Sequence, residues 1–197
     1  VFSASIINSQ PMGFYSTAHL IRDARQHHVD VRAVDVNRSD WDCTLEYDHG
    51  VGTQPALRLG LRVIVGMKRE IAERITSARK SGNFVSQQDL QRRADVSRKA
   101  MMQLAEADAF SSLEQPRREA LWEAMAQQDA KHDMPLFAQI TDDGPAVELP
   151  VMSPSEQVEM DYRTSGLSLK GHPMQFCRER LNELHVVPSA DLISKST

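Results

Sequence analysis

Val65-Gly66-Met67-Lys68-Arg69 is the stretch whose residue types could do chemistry. Gly66 can take a positive φ and has no Cβ to hold a ligand away. An apolar residue and then a basic helix follow it. Free N–H groups at the start of such a helix, beside a glycine turn, form a phosphate site. An ordinary tight turn between two helices has the same signature. Asp40-Trp41-Asp42 is a second candidate, because paired carboxylates can hold divalent metal. Ser39 suggests a turn there, however, and in a turn the two side chains need not share a face. His27-His28 point to different faces of a helix end and fit its C-terminal dipole better than a metal. His172 and Cys177 are too isolated for a zinc site.

The elements that must position the glycine turn are legible around it. Met67, Ile71, Ile75 and Ala78 recur at helical spacing and face a core. Val63, Ile64 and Val65 form the short apolar run before the turn. The pattern repeats at an offset of 29 residues: Gly66 falls on Asp95, Met67 on Val96, Arg69 on Arg98, Ile71 on Ala100, Ile75 on Leu104 and Ala78 on Ala107. Two stacked supersecondary units need that shared pattern. It predicts a tandem helix-hairpin-helix, with the glycine-less second hairpin the weaker phosphate site. Ser86 and Ser97 are the expected N-caps, and Gly82 the left-handed stop after the first hairpin helix. Phe84, Leu90, Leu104 and Phe110 are the expected shared core.

Charge is concentrated in the same place. Arg58 to Lys99 holds eleven basic and four acidic residues, a local +7 in a chain of net −4, which leaves −11 elsewhere. A basic island in an acidic protein fits a nucleic-acid footprint. A solvated helix face with pairs such as Glu70–Arg74 is the bland alternative.

Elsewhere, Val1 to Ile7 reads as the end of a helix. Ser16 caps the next, with Leu20, Ile21 and Ala24 on one face. Val29 to Val36, Cys43 to Tyr47 and Ala56 to Leu61 read as short extended runs, the last alternating apolar and basic residues. His49-Gly50-Val51-Gly52 reads as a turn. Glu114 to Ala130 reads as a helix with Leu121, Trp122 and Met125 inward, and 132–150 as an acidic linker. Ser153-Pro154-Ser155-Glu156 is a capping-box helix start running to Thr164, with Gly166 as its stop. A last helix after Gly171-His172-Pro173 should turn Met174, Cys177 and Leu181 inward. At 197 residues, one or two domains with a real core are possible. Two distant cysteines suit a reducing compartment. No stretch resembles a membrane span or signal peptide. The start on Val1 suits a piece of a longer chain.

Several separated motifs carry a family resemblance. They are Asn8-Ser9-Gln10-Pro11-Met12-Gly13-Phe14-Tyr15-Ser16, Val34-Asp35-Val36-Asn37-Arg38-Ser39-Asp40-Trp41-Asp42-Cys43, Leu57-Arg58-Leu59-Gly60-Leu61-Arg62 and Ser165-Gly166-Leu167-Ser168-Leu169-Lys170-Gly171-His172-Pro173. Together they resemble the bacterial C-family DNA polymerases over nearly the whole chain. Ser39-Asp40-Trp41-Asp42-Cys43 points to the error-prone, damage-tolerant branch. The resemblance implies a parent several times longer, with its catalytic aspartates in an upstream palm and an OB-fold module downstream. Magnesium is then implied for the parent and no cofactor for this piece. Lys68 stands where many family hairpins have a second glycine.

The expected fold is mainly α with a few short strands, a tandem helix-hairpin-helix with flanking helical segments. The expected divisions are 1–55, the end of a fingers-like region; 56–112, the tandem unit; 113–150, helix plus linker; and 151–197, a helical segment. The candidate DNA-binding residues are Gly66, Met67, Lys68, Arg69, Arg74, Arg79, Ser97, Arg98 and Lys99. No catalytic or metal residue is expected. The partner is primer–template duplex, with damage-response accessory proteins possible, in the cytoplasm and without a membrane. The competing readings are an accessory domain of a repair nuclease or glycosylase, and a protein-interaction scaffold.

Overall fold

A computed structural model describes residues 1–11, 13–47, 54–126, 149–188 and 191. The expected turn at His49-Gly50-Val51-Gly52, most of the 132–150 linker and the end of the helix expected to reach Ala130 lie outside the described residues. α1 (Phe2–Asn8) and α2 (Thr17–Gln26) come first. Ser16 opens α2 by accepting the His19 N–H at 3.3 Å, and Ile21 and Ala24 are buried beneath it.

The extended runs shrink to three short strands: β1 (Val31–Arg32), β2 (Thr44–Glu46) and β3 (Ala56–Arg58). β3 lies in the middle, parallel to β1 and antiparallel to β2. Every residue of β3 is buried, so the expected basic-outward alternation fails there. Arg58 is 8 % exposed, and it is tolerated because its charge is paired in place. Its Nε and Nη2 donate to Glu46 at 2.7 and 2.9 Å, and Nη1 donates to the Ala33 carbonyl at 2.7 Å. Arg32 adds a bond to Glu46 at 2.7 Å. The Arg58 hydrogen bond, with Arg32 behind it, holds the Glu46 carboxyl below the usual carboxylate range.

Gly60 follows β3 where only a residue without a side chain fits. A Cβ there would lie 2.3 Å from the Trp41 carbonyl oxygen. Leu61–Val63 is a single 3₁₀ turn. It leads to α3 (Arg69–Arg79), α4 (Gln87–Ala94) and α5 (Arg98–Glu106). Ser86 accepts from the Asp89 N–H and Ser97 from the Ala100 N–H, so both expected caps are in place. Gly82 has φ +129°. Phe84, Leu90, Leu104 and Phe110 are all buried, as their spacing predicts.

α6 (Arg117–Ala126) packs on α5. Its buried face is Ala120, Ala124 and Arg117. Trp122 is 58 % and Met125 51 % exposed, against the expectation that they face inward. The alanines allow close helix approach, and Trp122 lies two residues from each of them, on the opposite side. α7 (Pro154–Ser165) starts with the expected capping box and stops at Gly166, φ +73°. The last helix is instead two short ones, α8 (Pro173–Phe176) and α9 (Arg178–Glu183). The Cys177 N–H bonds to Met174, three residues back, and the chain bends there. Met174 and Cys177 are consequently exposed rather than inward.

One hydrophobic cluster runs from Ala4 and Ile7 through the sheet and the tandem unit to Leu167. Arg117, its side chain 3 % exposed, ties α7 to this body. It donates to the Gln157 carbonyl at 2.9 Å and to the Asp161 carboxylate. No described helix is long and apolar enough to cross a membrane.

Candidate nucleic-acid interface

The first hairpin is a four-residue turn, Ile64 to Met67. The Met67 N–H closes it onto the Ile64 carbonyl at 3.1 Å. Gly66 sits at the third position with φ +77°, the conformation a type II turn requires there. Two distant groups brace the turn. The Val65 N–H donates to Thr164 of α7 at 2.7 Å, and Gln103 of α5 donates to the Val65 carbonyl at 3.2 Å. The outer side carries Val65, Gly66, Lys68 and Arg69, all exposed. Lys68 is the N-cap of α3, and no side chain caps the helix. Among the described residues, the N–H groups of Gly66, Lys68, Arg69 and Glu70 have no hydrogen-bond acceptor. Four unpaired amides beside a lysine, at the positive end of an eleven-residue helix, are groups that can donate to an anion.

Met67 departs from expectation. Its N–H is spent inside the turn and the residue is 7 % exposed, so it positions the loop and offers no donor.

The second hairpin keeps the left-handed residue, the buried apolar residue and the helix start of the first but closes differently, the Val96 N–H bonding to the Gln91 carbonyl at 3.3 Å, five residues back at the end of α4. Asp95 has φ +47°, matching Gly66. Val96 is buried like Met67, and Ser97 caps α5 where Lys68 begins α3. Aspartate is among the few residues that tolerate the left-handed conformation, which is why the repeat survives without glycine. Two differences follow. Ser97 already accepts an amide of its own helix, and the Asp95 carboxylate places negative charge beside the turn. Arg74 of α3 pairs with that carboxylate at 3.0 Å, so it links the hairpins.

The basic island sorts into two populations. Arg58, Arg62, Arg79 and Arg93 face inward. Arg62 donates to the Asn8 and Gln10 carbonyls and to Asp42. Arg79, an expected DNA contact, donates to the Val36 and Ser39 carbonyls at 3.1 and 2.9 Å and to Asp40 at 2.5 Å. With its side chain 16 % exposed, Arg79 fastens α3 to the 36–40 segment. Arg93 lies over the Phe84 ring at 4.7 Å and donates to the Ala78 and Gly82 carbonyls. Its hydrogen bond holds the Asp89 carboxyl below the usual range. Outward-facing Arg69 pairs with Glu73 at 2.8 Å, and Arg98 is exposed. Lys68, Lys80 and Lys99 are exposed, with no ion pair among the described residues.

The tempting metal pair is accounted for differently. Asp40 is bound by Arg79 and Asp42 by Arg62, at 2.6 Å. Two carboxylates each neutralised by its own guanidinium do not suit a divalent ion. Among the described residues no group of three histidine, cysteine or acidic side chains could hold a metal. The brace residues Gln103 and Thr164 escaped the sequence reading. Nothing local marks a glutamine or threonine as the support of a turn so far away in the chain.

The comparisons with known proteins agree with this geometry. A family model described as a helix-hairpin-helix motif matches residues 28–120. An error-prone DNA polymerase of Rhodopirellula baltica is 45 % identical over 193 residues, 97 % of this chain and 17 % of the relative. Those of Mesorhizobium japonicum and Ralstonia pickettii are 44 % and 42 % identical, covering 99 % and 97 % of the chain. The chain spans less than a fifth of the length of these relatives. Over nearly its whole length, therefore, this chain is homologous to one segment of the error-prone DNA polymerases, with a helix-hairpin-helix motif at its centre.

Proposed function

We propose that this chain grips the sugar-phosphate backbone of primer–template duplex without reading its sequence. The bare amides of Gly66, Lys68, Arg69 and Glu70, with the Lys68 ammonium, carry this reading. They belong to exposed residues of a turn that α5 and α7 brace at Val65. Phosphate contacts of this kind position a protein but carry no base information. At the second hairpin the Arg98 and Lys99 amides and side chains add a weaker contact, with Ser97 fixing the helix start. Arg69 contributes charge at the rim.

The names of the relatives, error-prone DNA polymerase, support template-directed nucleotidyl transfer by a longer parent, and damage-tolerant synthesis in the cytoplasm is the finer part of the same proposal. Magnesium would belong to that parent's palm, since the Asp40–Asp42 pair here is consumed by arginines. The same names favour this reading over the nuclease, glycosylase and scaffold alternatives. Damage-response accessory proteins are further partners of the parent under the same proposal.

The test is duplex binding at several salt concentrations. Each neutralised phosphate contributes a log–log slope of about −0.9. Lys68→Ala should weaken binding equally for unrelated duplex sequences and reduce the slope. Salt-independent binding, or a Lys68→Ala effect restricted to one sequence, would overturn the proposal.

A further inference from the structure

A second basic feature lies away from the hairpins. Between α2 and the segment from Tyr162 to His172 there is an open cavity of about 460 Å³. Its wall includes Arg22, Arg25, Tyr162, Ser168 and His172, and among the described residues no carboxylate lines it. Arg25 is held there by donating to the Leu169 carbonyl at 3.1 Å. Arg22 has no hydrogen bond or ion pair among the described residues. It leaves a guanidinium with all its donors open at the rim of the cavity. A planar fork of this kind matches the oxygens of a phosphate.

Two rings stand on the opposite side. Tyr162 and His172 meet edge to face, with centroids 6.2 Å apart. His172 accepts the Met174 N–H at its Nδ1, so in the neutral ring the proton sits on Nε2. That leaves one ring N–H donor and the Tyr162 hydroxyl beside an aromatic surface. Arginines for a phosphate, with aromatic faces for a base, are the parts of a nucleotide site.

The geometry points to this cavity as a binding site for one nucleotide unit, its phosphate on Arg22 and Arg25 and its base against Tyr162 and His172. The unit belongs either to a single DNA strand or to a free nucleotide. The inference stands on this cavity alone and not on the hairpins.

The experiment is an amide and arginine-side-chain NMR titration of the 197-residue chain with inorganic phosphate, dTMP and a dT octamer. Shifts at Arg22, Arg25, Tyr162 and His172 with dTMP, at lower concentration than with phosphate, are expected. A further gain with the octamer assigns the site to a strand, and equal affinity for dTMP and octamer assigns it to a free nucleotide. Arg22→Ala, which removes no internal bond, should weaken dTMP about fivefold, the scale of one exposed charge-assisted contact. Lys68→Ala should leave it unchanged. Equal affinity for phosphate and dTMP, shifts confined to the hairpins, or an unaffected Arg22→Ala variant would each overturn the inference.

Discussion

Arg79 gives the sharpest test of which cations are structural. Removing its guanidinium by Arg79→Ala orphans two main-chain acceptors, the Val36 and Ser39 carbonyls, in a segment where both residues are fully buried. Each hydrogen bond to a charged donor contributes about 1.5 kcal/mol or more. The third bond, to Asp40, adds little, because the Asp40 side chain is 53 % exposed and solvent screens the pair. The expected loss is therefore about 3 kcal/mol, read as a lower urea midpoint at unchanged m. Arg79→Lys keeps the charge, and because Nη1 alone bonds both carbonyls a single ammonium can still serve them, so it should lose clearly less than Arg79→Ala. DNA binding gives the opposing control. If Arg79 touches no phosphate, the salt slope of either variant equals that of the parent under conditions where each is folded. An unchanged urea midpoint, together with a slope shallower by about 0.9, would refute the assignment and return Arg79 to the interface.

Three other outcomes follow from the same packing. Gly60→Ala should abolish folding or cost more than about 3 kcal/mol, measured by urea denaturation. The new methyl would meet backbone atoms of Trp41 and Asp42, which cannot swing aside. Glu46, its folded-state pKa depressed by Arg58 and Arg32, contributes stability that is fully present above its unfolded value of about 4.3. That stability is lost as pH falls through the lower folded value, so Glu46→Gln should flatten the acid limb of stability against pH. Cys177 is exposed, so a thiol reagent should modify it in the native protein. Cys43, buried, holding the Gly60 N–H on its sulfur at 3.3 Å and with its thiol pushed up by burial, should react only on unfolding.

Helix starts were the most legible feature of the sequence. Ser16, Ser86, Ser97 and Ser153 each accept an amide three residues on, because capping needs only short-range geometry. Gly66 and Gly166 take the left-handed conformation for the same local reason. The 29-residue repeat was legible even where its glycine is missing, since Asp95 can adopt the conformation Gly66 has. Of the apolar positions expected to face the core from α3, Ile75 is fully buried and Ile71 and Ala78 are half-buried against the core, while Ala72, fully buried, carries no such expectation. A small residue gives a weak hydrophobic signal although it packs well.

What the sequence alone determined is therefore what neighbouring residues decide: caps, stops, helical faces, the duplication and the placing of a glycine turn ahead of a basic helix. Tertiary structure decided which of those cations are available. Arg58, Arg62, Arg79 and Arg93 look like Lys68 and Lys99 in a charge count, but their acceptors are main-chain carbonyls and carboxylates that only folding brings near. It also placed Trp122 outside, because alanines took the contact with α5, and set Thr164 and Gln103 behind the first turn. A hydrogen bond is decided over a few ångströms of space, and a distance along the chain carries no record of it.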